Sequence, residues 1–293
     1  MTLSVIIPAY GRSDLLINCL KSLNRNRGFE YEVCVIDDGS GLDENKIRTE
    51  SDVSYQLIWR SFDTPRGRSS ARNEGIKSTT GEIIVFLDSD MNTRNGFLEA
   101  HLKNHRKHPH TASIGKIIWP KGGSFLRYIG TRGVAKLKSD SSVPSWYFTT
   151  GNASIERNDL PTDSPFDETL PGWGGEDLDL GMKLHAAGVK FTFAPEAISF
   201  HNFDGNLGTH INRTYLFGMN TLPILVSRHP EILGITKLYL LKSAMLRFLI
   251  KKPVFYPILF FTNIFNALPI PAKVFDYLTF AAYAQGWMKG KQT

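Results

Sequence analysis

Short apolar or β-branched runs recur along the first part of the chain, at residues 3–7, 31–36, 55–59, 82–87 and 112–119. Between them the apolar positions change to helical spacing: Leu15, Leu16, Cys19, Leu20 and Leu23, then Ala71 and Ile76, then the stretch 97–107. Strand and helix in alternation predict an α/β fold with a mostly parallel central sheet flanked by helices. In such sheets ligands sit beyond the carboxyl ends of the strands. The first strand runs out into PAYGR, with Tyr10 and Arg12, the second into DDGSG and the fourth into DSD, so polar and glycine-rich groups converge at one edge. That edge has the character of a nucleotide site.

The character changes near residue 206, which predicts a catalytic domain over 1–205 and a helical C-terminal extension over 206–293. Leu238, Leu241, Met245, Phe248 and Leu249 fall on one side of a helical pattern, with Lys237, Lys242, Arg247, Lys251 and Lys252 around the other. The following segment is very apolar but interrupted by Pro253, Pro257, Pro269 and Pro271, short of the roughly 20 unbroken apolar residues of a spanning helix. A basic amphipathic helix beside an aromatic-rich run fits an anionic membrane surface. A helical hairpin packed on the core or on a second subunit is the other reading. The four histidines His101, His105, His108 and His110 fit a helix surface and its end.

The composition, 42% hydrophobic and 21% charged over 293 residues, is that of a folded protein able to bury a core. A net charge of +6 suits an anionic partner, but charge alone does not choose among a nucleotide, a nucleic acid and a membrane. With only Cys19 and Cys34, both in apolar segments, no disulfide framework or cysteine metal site is expected. The N-terminal residues enter a strand pattern without a secretion-signal pattern, so a cytoplasmic location is expected.

Three motifs carry chemistry. Asp88, Ser89 and Asp90 close an apolar strand, and carboxylates placed there call for a positive partner; hard oxygen ligands suit Mg²⁺ or Mn²⁺ shared with a phosphate substrate. Asp37 and Asp38 close the second strand, where they can accept from a ribose or a base, although Asp-Gly is also common in turns. Arg66, Arg68 and Arg72 supply fixed positive charge for a diphosphate or base.

Taken in order, SVIIPAYGR, VIDDGS, RGRSSARNEGI and IIVFLDSDM resemble the nucleotide-binding half of family 2 glycosyltransferases, which have the Rossmann-like GT-A fold. The resemblance implies a nucleotide-sugar donor held with a divalent cation. By that analogy Pro8, Ala9 and Tyr10 line the nucleoside pocket, Asp38 faces the base, Arg68 or Arg72 holds the nucleotide, and Asp88 with Asp90 forms the DXD motif. Asp90 is then a metal ligand and Asp88 serves the ribose and the metal.

The stretches TTGNASIER and LPGWGGEDLDLGMKL are similar to the acceptor side of bacterial chondroitin polymerases and animal β-1,4-galactosyltransferases. The similarity implies that Asp177 is the base of an inverting reaction and that Glu176 binds acceptor hydroxyls. A helix N-terminus at this point would lower the pKa of Asp177. Trp173 among Gly172, Gly174 and Gly175 offers an aromatic face to a sugar on a flexible lead-in. His201 lies where many GT-A enzymes place a last metal ligand.

The resulting expectation is an inverting, metal-dependent transfer of a galactose, N-acetylgalactosamine or glucose-type sugar. The donor is UDP-linked, and the acceptor is a hydroxyl of a glycan or lipid-linked glycan at the cytoplasmic face of a membrane. No nucleic acid partner is expected. The rivals are a sugar nucleotidyltransferase and a non-catalytic sugar-binding or scaffold protein of the same fold.

Overall fold

The structure, a computed structural model, describes residues 1–137, 142–172, 174–202 and 205–291. The chain divides into two compact units. The first comprises Met1–Pro120, Arg132–Glu168 and Glu176–Phe203, and the second Lys121–Thr131, Thr169–Gly175 and Asp204–Thr293. The helical unit thus takes in two segments from before residue 206 as well as the C-terminal stretch.

In chain order the elements begin with β1 (Leu3–Ala9), α1 (Ser13–Leu23), β2 (Tyr31–Asp37), α2 (Glu44–Ser51), β3 (Gln56–Ser61), α3 (Arg68–Lys77) and β4 (Ile83–Leu87). Next come β5 (Met91–Thr93), α4 (Phe97–Lys107), β6 (Thr111–Ile118), α5 (Ser124–Ile129), β7 (Asn152–Glu156), α6 (Glu176–Ala186) and β8 (Lys190–His201). All but α5 belong to the first unit. Among the described residues the strands form one eight-stranded sheet in the order β3-β2-β1-β4-β7-β6-β8-β5. The β3, β2, β1 and β4 strands run parallel, as do β6 and β8. The sheet departs from the expected parallel pattern where β7 lies antiparallel between β4 and β6, and where β5 runs antiparallel along β8.

Every residue of β1 is buried, because helices cover both faces of the sheet and leave no polar face to alternate with. The two faces can still be told apart by their period of two. Leu3, Val5 and Ile7 pack with Leu16, Leu20 and Leu23 of α1 and Phe97 of α4 on one side. Ile6, Cys34 and Phe86 pack with Ala71 and Ile76 of α3 and Leu180 and Leu184 of α6 on the other. Cys19 and Cys34 are buried core residues, as expected.

One irregularity redirects β8 toward the site. Its pairing with β6 runs Gly115↔Ala194 and then Lys116↔Ile198, so Pro195, Glu196 and Ala197 are accommodated by a bulge. Pro195 has no N–H for the ladder, which is why the irregularity falls there. The strand then continues to His201, which faces Met91 of β5 just past the DSD turn.

The histidines on α4 are not a solvent face. His101 and His105 are both fully buried against the sheet. His101 meets Asn152 Oδ1 at 3.0 Å and Ser154 Oγ at 2.8 Å, and His105 Nε2 meets the same Ser154 Oγ at 2.8 Å. Asn104 donates to Ser113 and Thr192 hydroxyls at 2.9 and 2.8 Å. The i, i+3, i+4 positions of the helix therefore match a polar stripe on β6, β7 and β8 that the hydrophobic pattern hides.

The second unit continues through α7 (Leu207–Leu216), a π-helical segment (Phe217–Thr221), α8 (Leu222–Arg228), α9 (Ile232–Ile235), α10 (Ala244–Leu249), α11 (Lys252–Ile264) and α12 (Ala272–Gly290). Helix α12 buries Phe275, Leu278, Ala281, Ala282 and Trp287. The amphipathic stretch after Thr236 is not one helix: a 3-10 turn over Leu238–Lys242 precedes α10, and Ser243 caps the restart by accepting from the Leu246 N–H. Met245 and Phe248, on the apolar side of the expected pattern, are 71% and 60% exposed. Among the described residues no helix is long and apolar enough to cross a membrane.

Burial lowers the pKa of His101 from 6.5 to about 3 and that of His105 from 6.5 to about 4. Both are neutral in the folded chain and protonate on unfolding, so the stability they contribute is complete above 6.5 and is lost as pH falls toward the folded values. Each should add a slope of about 1.4 kcal/mol per pH unit in that window. Urea unfolding midpoints should therefore drop on acidification below 6.5, with a shallower slope in His105→Gln.

Candidate active site

The site forms where β1, β2, β4 and β8 end and β7 begins. Ala9 stands beside Asp37, and Leu87 beside Asn152, so the residues that follow or precede them in the chain gather at one edge. Pro8 and Ala9 are buried within β1, whereas Tyr10 is 63% exposed just past it. Arg12 adopts a left-handed backbone at the start of α1 and pairs with Asp14 at 3.3 Å.

The two aspartates ending β2 brace loops. Asp37 is buried and accepts from the Ser40 N–H at 3.0 Å and the Leu42 N–H at 2.9 Å. Asp38 accepts from the Arg66 N–H at 2.7 Å and from the Gly67 N–H at 2.9 Å. Just after them Gly39 has φ +74, and a Cβ there would lie 2.4 Å from the Thr64 carbonyl carbon, so the turn admits no other residue without moving. Both carboxylates accept from backbone donors, Asp37 also from the Ser40 hydroxyl, a structural duty that the sequence reading of a base or ribose contact left out.

Arg72, on α3, is the centre of the charged cluster. Its guanidinium is 1% exposed and lies 3.1 Å from Asp88 Oδ1, 3.2 Å from Glu176 Oε1 and 3.9 Å from Asp177 Oδ1. Arg68, one turn earlier and more open, meets Glu176 Oε1 at 3.1 Å. Burial alone would lower the pKa of Arg72, but the surrounding carboxylates of Asp177, Asp88 and Glu176 outweigh it and keep the group charged. Of the arginines assigned to the nucleotide from sequence, Arg72 is thus committed to carboxylates. Arg66 lies 4.6 Å over the Phe62 ring.

Glu176 and Asp177, the first two residues of α6, are pushed apart. Burial would raise Glu176, but Arg68 and Arg72 together hold it below the usual carboxylate range. Burial raises Asp177, and Arg72 only partly offsets that. The expectation of a lowered Asp177 pKa is therefore reversed, because desolvation outweighs Arg72 and the Thr150 hydroxyl. Thr150 fixes the carboxylate, donating its N–H to Oδ2 at 3.1 Å and its hydroxyl to Oδ1 at 2.7 Å. Sequence spacing held no signal for Thr150, which precedes Asp177 by 27 residues and reaches it only through the antiparallel placement of β7. Asp179 pairs with Lys183 at 2.6 Å within the helix.

Asp88, Ser89 and Asp90 occupy the turn after β4, all partly exposed. Asp90 Oδ2 lies 3.5 Å from His201 Nε2, and Trp119 lies against the His201 ring with centroids 4.5 Å apart. Among the described residues, the group of three whose ligand atoms all lie within 4.8 Å of one another is His110, Glu156 and Asp159, not Asp88, Asp90 and His201. Asp88 instead turns one oxygen to Arg72, and its other oxygen is 3.1 Å from where a Cβ on Gly151 would stand.

The acceptor stretch divides between the units, with Gly174 in the second and Glu176 in the first. Trp173 lies outside the described residues. Gly172, Gly174 and Gly175 have φ of +81, +88 and +104, so these glycines meet a left-handed backbone and do not simply loosen a loop. A Cβ on Gly175 would lie 2.6 Å from Thr221 Cγ2.

An open sheet with acidic strand ends, a DXD turn and a carboxylate at a helix start defines a GT-A glycosyltransferase. The model of glycosyl transferase family 2 matches residues 4–165, and that of the N-terminal domain of galactosyltransferase matches residues 132–203. The chain belongs to glycosyl transferase family 2. It is 27% identical to the uncharacterized glycosyltransferase YfnE of Bacillus subtilis, covering 69% of this chain and 64% of the relative. It is 30% identical to the pre-mycofactocin glycosyltransferase of Mycobacterium tuberculosis, covering 78% and 48%, and 25% identical to the chondroitin synthase of Escherichia coli, covering 68% and 34%. The chain thus spans about a third to two thirds of the length of these relatives. In fold it is similar to the mannosyltransferase PcManGT from Pyrobaculum calidifontis, solved with GDP-Man and Mn²⁺, at a TM-score of 0.65 and 20% identity over 98% of this chain and 87% of that one. The S. aureus TarS structure with UDP-GlcNAc matches at 0.57 and 20% identity, covering 74% and 66%.

Arg72→Met should leave Asp88 without its cation and Glu176 with Arg68 alone, with a destabilisation of about 3–5 kcal/mol. Urea unfolding of the variant against the parent checks this.

Proposed function

We propose that the first unit is an inverting, metal-dependent glycosyltransferase that moves a sugar from a nucleotide donor to a hydroxyl of a glycan or lipid-linked glycan. The observation that carries the reading is the Asp177 carboxylate, fixed by Thr150 beside the DSD turn and held more basic than an ordinary aspartate. A base of raised pKa accepts a proton more readily near neutral pH. In the reaction the acceptor oxygen bonds to the anomeric carbon, the bond from that carbon to the diphosphate breaks with its electrons, and Asp177 takes the hydroxyl proton. Attack from the face opposite the leaving group inverts the anomeric centre.

The donor set fits a divalent cation. Asp88, Glu176 and Asp177 place three carboxylates against Arg68 and Arg72, while Asp90 stands beside the imidazole of His201, a ligand type that suits Mn²⁺. Asp90 and His201 would hold Mn²⁺ or Mg²⁺, and Asp88 would serve both the ion and the ribose. When bound, the ion would neutralise charge on the departing diphosphate. Arg72 keeps Asp88 and Glu176 in place, Tyr10 and Asp38 border the nucleoside, and Arg68, Arg12 and Ser89 border the diphosphate. Trp173, Gly174 and Glu176 serve the acceptor, Glu176 while it is held by Arg68 and Arg72.

A UDP-linked galactose, N-acetylgalactosamine or glucose is the proposed donor, supported by the galactosyltransferase-type match and by the names of the chondroitin synthase relatives. GDP-mannose belongs in the same assay, because the mannosyltransferase of similar fold was solved with it. Peripheral attachment of the second unit to the cytoplasmic face of an anionic membrane would bring the enzyme to lipid-linked acceptors.

With Mn²⁺ and a panel of nucleotide sugars, the protein should release nucleoside diphosphate. Asp177→Asn should lower that rate by about 10²–10⁴-fold while donor binding by calorimetry stays within about twofold. Release of pyrophosphate would mark a nucleotidyltransferase, and no turnover with any donor would overturn the enzyme reading. The acid limb of kcat/KM should lie above the ordinary aspartate value of 3.8, activity falling as pH drops through the raised range and Asp177 takes up a proton. Asp90→Asn should weaken activation by Mn²⁺ about 10-fold or more, read as the metal concentration for half-maximal rate.

A further inference from the structure

Of the sixteen large hydrophobic side chains that stand exposed among the described residues, twelve fall between Leu233 and Leu268. On α11 they make one open aromatic face with Tyr256, Phe260, Phe261 and Ile264, all more than half exposed. The same stretch of chain has no acidic residue between Glu231 and Asp276, while it carries Lys237, Lys242, Arg247, Lys251, Lys252 and Lys273. Those six positive charges equal the net charge of the whole protein. An apolar face of this extent, ringed by one sign of charge, has an amphiphilic anionic partner as its complement. A second copy of the chain docking through the same face would set lysine against lysine, since a two-fold interface pairs a patch with itself.

Behind that face lies a cavity of about 810 Å³ within the second unit, between α7, α11 and α12. Ile211, Phe255, Leu259 and Met288 give it apolar walls, and Lys251, Lys252 and Lys289 line it without any acidic neighbour among its lining residues. Tyr256 belongs both to the cavity and to the open face, which makes the two continuous. A free phosphate would satisfy the lysines and leave the walls in water; a plain hydrocarbon would do the reverse. A single molecule with a phosphate head and an apolar chain matches both, and the volume is in the range of sites that enclose one small ligand.

We propose that the second unit seats on an anionic bilayer through the exposed face of α10 and α11, and that its cavity takes the phosphate-bearing head and first part of the chain of one lipid. This deepens the peripheral attachment proposed above and is independent of the transfer chemistry. The aromatic side chains would lie at the interface and the lysines at the level of the lipid phosphates.

The full chain is tested in two arms. In the first it is sedimented with vesicles of phosphatidylcholine alone and of phosphatidylcholine mixed with phosphatidic acid. Binding should be confined to the anionic vesicles and should fall about tenfold in Phe260→Ser/Phe261→Ser. No binding to anionic vesicles would overturn the attachment. In the second arm, dihexanoyl phosphatidic acid is titrated below its micelle concentration. It should bind saturably at one site, with affinity about tenfold lower or worse in Lys251→Ala/Lys289→Ala and unchanged in the phenylalanine variant. Vesicle binding without a saturable site for the soluble lipid would overturn the cavity ligand, as would inorganic phosphate displacing it at equal concentration. Both lysines are exposed, so thermal unfolding of that variant should match the parent.

Discussion

The buried guanidinium of Arg72 is the tie on which the candidate site depends. It joins the end of β4 through Asp88 to the start of α6 through Glu176 and Asp177, three parts of the chain far apart in sequence. None of these groups is tolerable there alone. An uncompensated arginine at 1% exposure would be costly, and so would a buried Glu176. Together they fix where the DXD turn stands relative to the helix that carries the proposed base. The two carboxylates of α6 are then driven in opposite directions, Glu176 down by its arginines and Asp177 up by burial, so neighbouring acids take on different chemistry.

The sheet supports this tie through a rearrangement within an otherwise parallel pattern. Strand β7 enters antiparallel between β4 and β6, which brings Thr150 and Gly151 beside the DXD turn. The polar residues of β7, Asn152 and Ser154, are answered by His101 and His105 from α4 and by Ser199 on β8, while Asn104 of α4 donates to Ser113 on β6 and Thr192 on β8. Asn152 also donates to the Ala197 carbonyl at 2.9 Å, inside the bulge that redirects β8 toward His201. A buried polar network of this kind is favourable only when most of its members find partners, which makes it a register device as much as a stabilising one.

The second unit follows a different logic. Its core is made by α12 and the helices that it contacts, while α10 and α11 leave aromatic side chains open and gather positive charge without acids to balance it. The amphipathic stretch is cut into a 3-10 turn and a short capped helix, and Met245 and Phe248 on that helix stand open. The glycine run before α6 likewise has backbone angles that only glycine adopts readily, and Gly175 has no room for a larger residue.

By itself the sequence determined the alternation of strand and helix, the strands that end in Asp37, Leu87 and His201, and the order of motifs that marks the family. These are local: a β-branched run, a period of two or of three to four, and a turn that needs glycine are all written in adjacent residues. What only the tertiary structure decided is non-local. Nothing near Asp177 announces Thr150, nothing near His101 and His105 announces a polar stripe on three strands, and nothing near Arg72 separates a nucleotide contact from a buried brace. The direction of the Asp177 pKa turned on the same difference. Helix position is read from neighbours in the chain, but desolvation depends on everything packed around the carboxylate, and here it outweighs the opposing Arg72.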